Sequence, residues 1–394
     1  GLAGAKAAER AANETRQTKD NWRREELFHA WRTAADRFGF PISQEWFAQQ
    51  QNEFRPPSCN PSQLATTAVA GITEHSSHFT EIECLRRVAE AVQTQGLHID
   101  QIRSLVTEIL QDCSQVIELD RLRGQMRYST PEMISIERQL LGEVQGSQGM
   151  WIPHTRSHEL AKSLSQFESL QPQQYRAVEH LVCGIDRVGC VNGMAGTGKT
   201  FMLGVARKVW EREGRRVIGT ALAAKAARGL EEGSGIPSHH LHSLFHEIES
   251  RRLVLDRDTI LVLDEAGMVG TRMMNRLVGQ TKQSQGKLVL VGDHRQLQAI
   301  EAGGPFRSIT ELVGAAELTA ITRQREVWAR ETVQQFARGD AGAALIEYFN
   351  RGLLNISQCR VGAMRQLVGD WLKSWICEQQ PLIFSALRSE TQLL

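Results

Sequence analysis

Val188-Gly-Cys-Val-Asn-Gly193-Met-Ala-Gly-Thr-Gly198-Lys199-Thr200 is the stretch on which the reading of this chain turns. It opens on a short apolar run, Val188 to Asn192, of the kind a buried parallel strand needs. It ends where Phe201 to Glu213 begins a helical pattern. A glycine-rich turn between strand and helix is the setting of a P-loop. Glycines let the backbone curl so that its N–H groups point at a phosphate. The helix start adds partial positive charge. Gly193, Ala195, Gly196, Thr197 and Gly198 are therefore expected to cradle a polyphosphate. Lys199 is expected to reach the β- and γ-phosphates, and Thr200 to offer its hydroxyl to Mg²⁺. The spacing alone arises by chance in roughly one chain of this length in a hundred. The rival reading is a glycine-rich turn with no ligand.

Further along, Ile260-Leu-Val-Leu-Asp264-Glu265 is a buried-strand pattern ending in two carboxylates. Successive strand residues point to opposite sides, so the two acids can take different tasks. Asp264 is assigned to Mg²⁺, held through water, and Glu265 to the attacking water. Alone, an apolar run ending in Asp-Glu reads as a solvated strand end. Its place about 65 residues after Lys199, with one strand between, favours the catalytic reading. A third run, Leu288 to Val291, ends in Gly292-Asp-His-Arg-Gln296-Leu, a turn expected to bring Gln296 near the γ-phosphate. Arg323, in Ile321-Thr-Arg-Gln-Arg325, is a candidate cation for the same phosphate or a plain surface charge.

Around this centre, 394 residues allow two or three domains. No apolar run approaches the ~20 residues that span a bilayer, so membrane insertion is not expected. The seven cysteines are scattered without a C-x-x-C pair, which points to reduced thiols in a cytoplasmic protein and gives no zinc site. A net charge of +1 argues against a broad basic face, though not against a motor that grips one strand in a narrow channel. The chain begins at Gly1, which hints at processing or at a piece of a longer chain.

Four segments are expected. Residues 1–60 read as a helical connector, with Leu27, Phe28, Trp31, Ala34, Ala35 and Phe38 in Trp22 to Phe38 forming a packing face. Its end is marked by Pro56, Pro57 and Pro61. Residues 66–145 read as a small helix-rich, winged-helix-like module, with helical patterns at Glu81 to Gln93 and Ile99 to Leu110. Val116 to Leu119 and Arg127 to Tyr128 would form a hairpin turning at Gly124. Residues 142–165 look like an irregular linker. From 165 to 340 the runs Val188 to Asn192, Arg216 to Ala221, Thr259 to Leu263 and Lys287 to Val291 alternate with helical stretches. That alternation is the mark of an α/β domain with a mainly parallel sheet. Residues 341–394 read as a partial extension, with Pro381 to Ala386 as a last strand.

Together these segments resemble the RecD-like branch of superfamily 1 DNA helicases, and most of all the helicase part of conjugative relaxase–helicases. Leu170-Gln-Pro-Gln-Gln174-Tyr is similar to the family's Q motif, which implies that Gln174 contacts adenine. Gly219-Thr220-Ala-Leu-Ala-Ala-Lys225 and His240-Leu-His242-Ser-Leu244 are similar to segments that touch single-stranded DNA, which assigns Thr220, Lys225 and His242 to that partner. His240 and His242 read as a DNA contact or a packing pair, not a metal site. LDEAGM and GDHRQLQAIEAGGPFR match the Walker B segment and the motif coupling ATP to DNA, and Arg323 falls on the γ-phosphate-sensing position.

The resemblance implies a RecA-like P-loop NTPase fold for residues 165–340, Mg-ATP as cofactor, single-stranded DNA as partner, 5′ to 3′ movement, and work beside a relaxase and the conjugation machinery. A nicking domain's tyrosine and histidine cluster are not found. By this resemblance residues 341–394 are expected to hold the start of a second RecA-like domain, which in such motors donates an arginine worth on the order of 10³ to 10⁵ in rate. Two other readings stay open. One is a P-loop ATPase that does not act on DNA; the other is a catalytically silent interaction module.

Overall fold

The computed structural model describes residues 24–39, 60–122, 124–167, 169–293, 299, 301–322, 324, 326–377 and 382–384. The chain divides into two compact units, Gly1–Ala68 with Leu85–Thr107, and Val69–Cys84 with Glu108–Leu394.

The first helix, α1 (Arg24–Arg37), starts with Glu25 and Glu26 and ends on Arg37, which complements its dipole. Phe28 and Trp31 meet edge to face at 5.7 Å, yet both remain about half exposed, and Phe38 is more open still. The expected packing face is thus not covered among the described residues. In chain order there follow α2 (Pro61–Ile72), α3 (Glu81–Ala91), α4 (Ile99–Gln111) and a hairpin of β1 (Ile117–Leu122) and β2 (Gln125–Ser129). The hairpin turns through Gly124 at φ +82°, a conformation that suits glycine. Phe79 adds a one-residue bridge to Tyr128, with paired 2.8 Å hydrogen bonds and stacked rings.

The larger unit is built on a sheet of six described strands: β3 (Val188–Gly193), β4 (Arg216–Ala221), β5 (Ser238–His240), β6 (Thr259–Asp264), β7 (Lys287–Gly292) and β8 (Ala316–Leu318). They lie in the order β5-β4-β6-β7-β3-β8, and every pairing is parallel. A parallel sheet must be covered on both faces, and the alternation of side chains shows that it is. Val191, Val217, Ile260, Val262, Val289 and Val291 enter one apolar layer with α7 (Pro172–Cys183) and α8 (Lys199–Arg212). Cys190, Ile218, Leu261, Leu263, Leu288 and Leu290 enter the other, with α5 (Pro131–Gln145), α10 (Leu241–Glu249), α11 (Thr271–Ser284) and α12 (Pro305–Val313). The two remaining helices of this part are α6 (Ser157–Leu164) and α9 (Ala224–Ser234).

Residues 142–165 are not an irregular linker. Leu140 and Val144 of α5 are buried in one layer, and Trp151, Leu160 and Leu164 in the other. This segment carries the chain from one face of the sheet to the other, and Trp151 anchors it by donating its N–H to the Ile185 carbonyl at 2.7 Å. Of the expected last strand, Leu382–Phe384 are described and form no strand. The region after 326 is helical: α13 (Val327–Arg338), α14 (Ala341–Asn350) and α15 (Arg360–Ile376). Among the described residues no helix is long and apolar enough to cross a membrane.

Lys287, at the start of β7, is 1% exposed. Its ammonium donates to the carbonyls of Gly184 and Asp186, both at 3.1 Å, and lies 5.4 Å from the Trp151 ring, which Arg215 also approaches at 4.6 Å. Burial, against the pull of Asp186, takes its pKa from 10.5 down to about 8. Between those values the unfolded chain binds the proton that the folded chain has lost, so this group makes stability rise with pH. The contribution is about 3 kcal/mol over the whole window. In urea titrations at pH 7 and pH 10.5, wild type is expected to gain that amount relative to Lys287→Met. Parallel pH dependence in the two proteins would exclude a depressed lysine.

Candidate nucleotide site

The registers align the carboxyl ends of the strands. Ala221 pairs with both His240 and Asp264, Asn192 with Gly292, and Gly193 with Leu318. The loops that leave β3, β6 and β7 therefore emerge side by side, at the edge where open parallel sheets bind ligands.

Their side chains enclose a cavity of about 260 Å³ lined by Ala195, Gly196, Gly198, Lys199, Thr200, Asp264, Glu265, Gly267, Met268, Gly292 and Asp293. Gly193 closes β3, and Thr197 is buried beneath the loop with its hydroxyl on the Met194 carbonyl at 2.9 Å. Gly196 and Gly198 both take positive φ, +81° and +78°, which lets the loop curl into the start of α8. A Cβ at Gly198 would also stand 2.3 Å from the Gln174 amide nitrogen. Lys199 folds back on the loop, donating to the carbonyls of Gly193 at 2.5 Å and Met194 at 3.2 Å. Those acceptors hold the place of anionic oxygens that Lys199 could grip instead.

Asp264 ends β6, and its carboxylate accepts the Glu265 N–H at 2.9 Å. Burial raises the Asp264 carboxyl above its usual range, against the Glu265 amide and Lys199. The Glu265 carboxyl is also raised, first by burial and then by Asp264, with Lys199 opposing. Glu265 adopts φ +54°, an uncommon conformation for a residue with a side chain and one that concentrates at functional sites. The fit around it is tight: a Cβ on Gly267 would stand 2.9 Å from the Asp293 carbonyl. Two carboxyls whose ionisation is opposed by burial, next to a threonine hydroxyl, form a hard oxygen donor set that suits Mg²⁺.

Gln174 is 4% exposed, and its amide is engaged at both ends. Nε2 donates to the Thr197 carbonyl at 2.9 Å, and Oε1 accepts the Gln171 N–H at 3.1 Å. It is placed as a strut under the loop, with a second amide hydrogen and a second carbonyl lone pair left over for another contact. Thr220, expected to touch DNA, is instead fully buried in β4 with no hydrogen-bond partner for its hydroxyl among the described residues. Two residues on from Ile218 in the same strand, its side chain lies on the face that the second apolar layer covers.

Lys225 and His242 are exposed, in the first turns of α9 and α10. Both leave the same edge of the sheet as the loop after β3. Two strands stand between β4 and β3 and three between β5 and β3, which puts Lys225 roughly 14 Å and His242 roughly 19 Å along that edge. His242 donates its backbone N–H to the His240 ring at 3.1 Å, and the two rings meet edge to face at 5.5 Å. Gln296 and Arg323 lie outside the described residues. Asp293, to which the motifs assign no role, lines the cavity; its position at the end of β7 was the available signal.

Residues 169–358 match the model of a family described as AAA domain. A probable conjugal transfer protein TraA of Sinorhizobium fredii is 37% identical over 336 residues, covering 82% of this chain and 30% of that protein. The multifunctional conjugation protein TraI of Escherichia coli K12 is 30% identical over 45% of this chain and 11% of its own length. An ATP-dependent RecD2 DNA helicase of Deinococcus radiodurans is 28% identical over 39% of this chain and 21% of its own. The chain thus spans under a third of the relatives it matches. With the motif set, the parallel sheet and these likenesses in hand, the chain carries a helicase-like AAA domain whose homologues are conjugal-transfer relaxase–helicases and a RecD2 helicase.

Proposed function

We propose that this chain holds the ATP-binding motor segment of a DNA helicase that couples ATP hydrolysis to movement along single-stranded DNA in conjugative transfer. The observation that carries the reading is the convergence of Lys199, Thr200, Asp264 and Glu265 on one cavity at the carboxyl edge of the sheet. Lys199 exchanges its loop carbonyls for the β- and γ-phosphates, while the backbone amides of 195–200 receive the remaining oxygens. Thr200 and Asp264 hold Mg²⁺, which when bound supplies positive charge to the phosphate oxygens. Glu265 orients and deprotonates the attacking water. Gln296 and Arg323 complete the γ-phosphate contacts in this reading. The partners are single-stranded DNA, the relaxase and the conjugation machinery, in the cytoplasm. Residues 66–145, whose helices, Phe79 bridge and hairpin follow one another in winged-helix order, serve as an accessory module.

Binding of a fluorescent ATP analogue to the purified chain, with and without Mg²⁺, tests the first half. A chain that takes up no nucleotide is the silent interaction module. For the second half, ATP turnover is measured in a protein carrying both RecA-like domains. Turnover indifferent to single-stranded DNA would mean an ATPase with another task. The exposure of Lys225 and His242 on the nucleotide-bearing edge favours the DNA reading. Lys225→Ala is accordingly expected to weaken single-stranded DNA binding equally for all sequences. It should also flatten the slope of log affinity against log salt by about 0.7, as follows when one fewer DNA phosphate is neutralised. An unchanged slope would remove Lys225 from the DNA path.

A further inference from the structure

The glycine-rich loop is held from behind by the segment that leads into Arg323. After β8 the chain runs past the loop as Leu318-Thr-Ala-Ile-Thr322. The Leu318 carbonyl accepts the Met194 N–H at 3.2 Å, and Thr322 gives both of its donors to a single atom, the Gly196 carbonyl. The backbone N–H lies at 2.8 Å and the hydroxyl at 2.9 Å. The neighbouring carbonyl, on Thr197, is held by Gln174. Gln173, next to Gln174, fastens the same segment by accepting the N–H groups of Thr319 and Ala320 at 2.9 and 3.0 Å.

The geometry of the trans peptide gives these ties a consequence. A carbonyl and the N–H of the following residue belong to one planar unit and point in opposite directions. Drawing the Gly196 and Thr197 carbonyls backward therefore turns the Thr197 and Gly198 N–H groups forward. The Thr197 N–H makes only a long 3.4 Å contact, with the Met194 carbonyl that Lys199 also touches. A loop rich in glycine has the most backbone freedom to lose, so its orientation has to be imposed from outside. Thr322 imposes it with both lone pairs of one oxygen filled.

We propose that Thr322 is a positioning residue of the phosphate cradle: its hydroxyl, with its own N–H, fixes the Gly196 peptide so that the following amides face the bound polyphosphate. Because Thr322 directly precedes Arg323, the tie also joins the cradle to the segment that bears the candidate γ-phosphate cation. The inference rests on the nucleotide reading of the cavity and adds to it a residue to which no motif assigned a role.

Thr322→Val keeps the shape and the backbone bond and deletes only the hydroxyl bond; Thr322→Ser restores it. In the full chain, the valine variant is expected to bind fluorescent Mg-ATP about five- to tenfold more weakly, and the serine variant within about twofold of wild type. The melting temperatures of the nucleotide-free proteins should coincide, which a purely structural role would not allow. Hydrogen exchange of nucleotide-free protein reads the tie without any ligand, and amides 195–199 should exchange faster in Thr322→Val. Equal exchange in the two proteins, valine binding as tight as wild type, or serine as weak as valine would each overturn the proposal. Failure of wild type itself to bind nucleotide would strike the underlying reading instead, and the exchange measurement keeps the two apart.

Discussion

Lys199→Ala is expected to cost at least about thirtyfold in Mg-nucleotide affinity while leaving the fold in place. The side chain sits at the mouth of α8, half-buried in a cavity that also contains two acids. Removing one partner of a desolvated charge pair costs roughly 2–5 kcal/mol, and each 1.4 kcal/mol is a factor of ten. Without nucleotide the ammonium serves the carbonyls of Gly193 and Met194. Both belong to a loop that is also tied by Gln174 and Thr322, so its path survives. The measurement pairs a binding titration with far-UV circular dichroism and thermal unfolding. Retained affinity in a folded variant would mean that the cradle is not a phosphate site. Lost affinity together with lost structure would mean that Lys199 holds the loop and not the ligand.

How much of this site was legible in the chain follows from how local each part is. GMAGTGKT lies on consecutive residues, with its strand and helix written directly before and after it, and LVLDE ends its strand at its paired carboxylates. Both landed where the pattern put them, on adjoining loops. The parts that escaped are defined by contacts distant in sequence. The Thr322 tie spans 126 residues and the Gln173 bonds to Thr319 span 146, and no periodicity records either. β5 and β8 are three residues long, and Ser-His-His and Ala-Glu-Leu carry too little apolar character to announce a strand. They pair because β4 and β3 offer open edges. Residues 142–165 read as a linker because their anchors, Trp151, Leu160 and Leu164, are set among polar residues. Thr220 fell to a similar limit: a motif gives the identity of a residue, but strand alternation decides which side of the sheet it faces.

Glu265→Gln separates binding from chemistry, and in a protein with both RecA-like domains it is expected to lower kcat by about 10²- to 10⁴-fold with nucleotide affinity little changed. Glutamine has the same length and can accept the same hydrogen bonds through its carbonyl, but it cannot take a proton from water. The backbone at Glu265 stands at φ +54°, two residues before Gly267, which packs closely against the end of β7, and glutamine fills the same shape there. The variant therefore keeps the cavity. Asp264, whose N–H bond from residue 265 comes from the main chain, keeps its orientation too. Burial and the Asp264 charge both raise the Glu265 carboxyl, so it holds a proton more readily than a carboxylate in water, the direction a general base requires. Asp264 has no such freedom, being the more deeply enclosed of the two and the nearer to Thr200 in purpose; a substitution there should abolish Mg²⁺-dependent binding along with turnover. A Glu265→Gln protein with full turnover would transfer the role of base elsewhere in the cavity, and Asp293 is the remaining carboxylate that lines it.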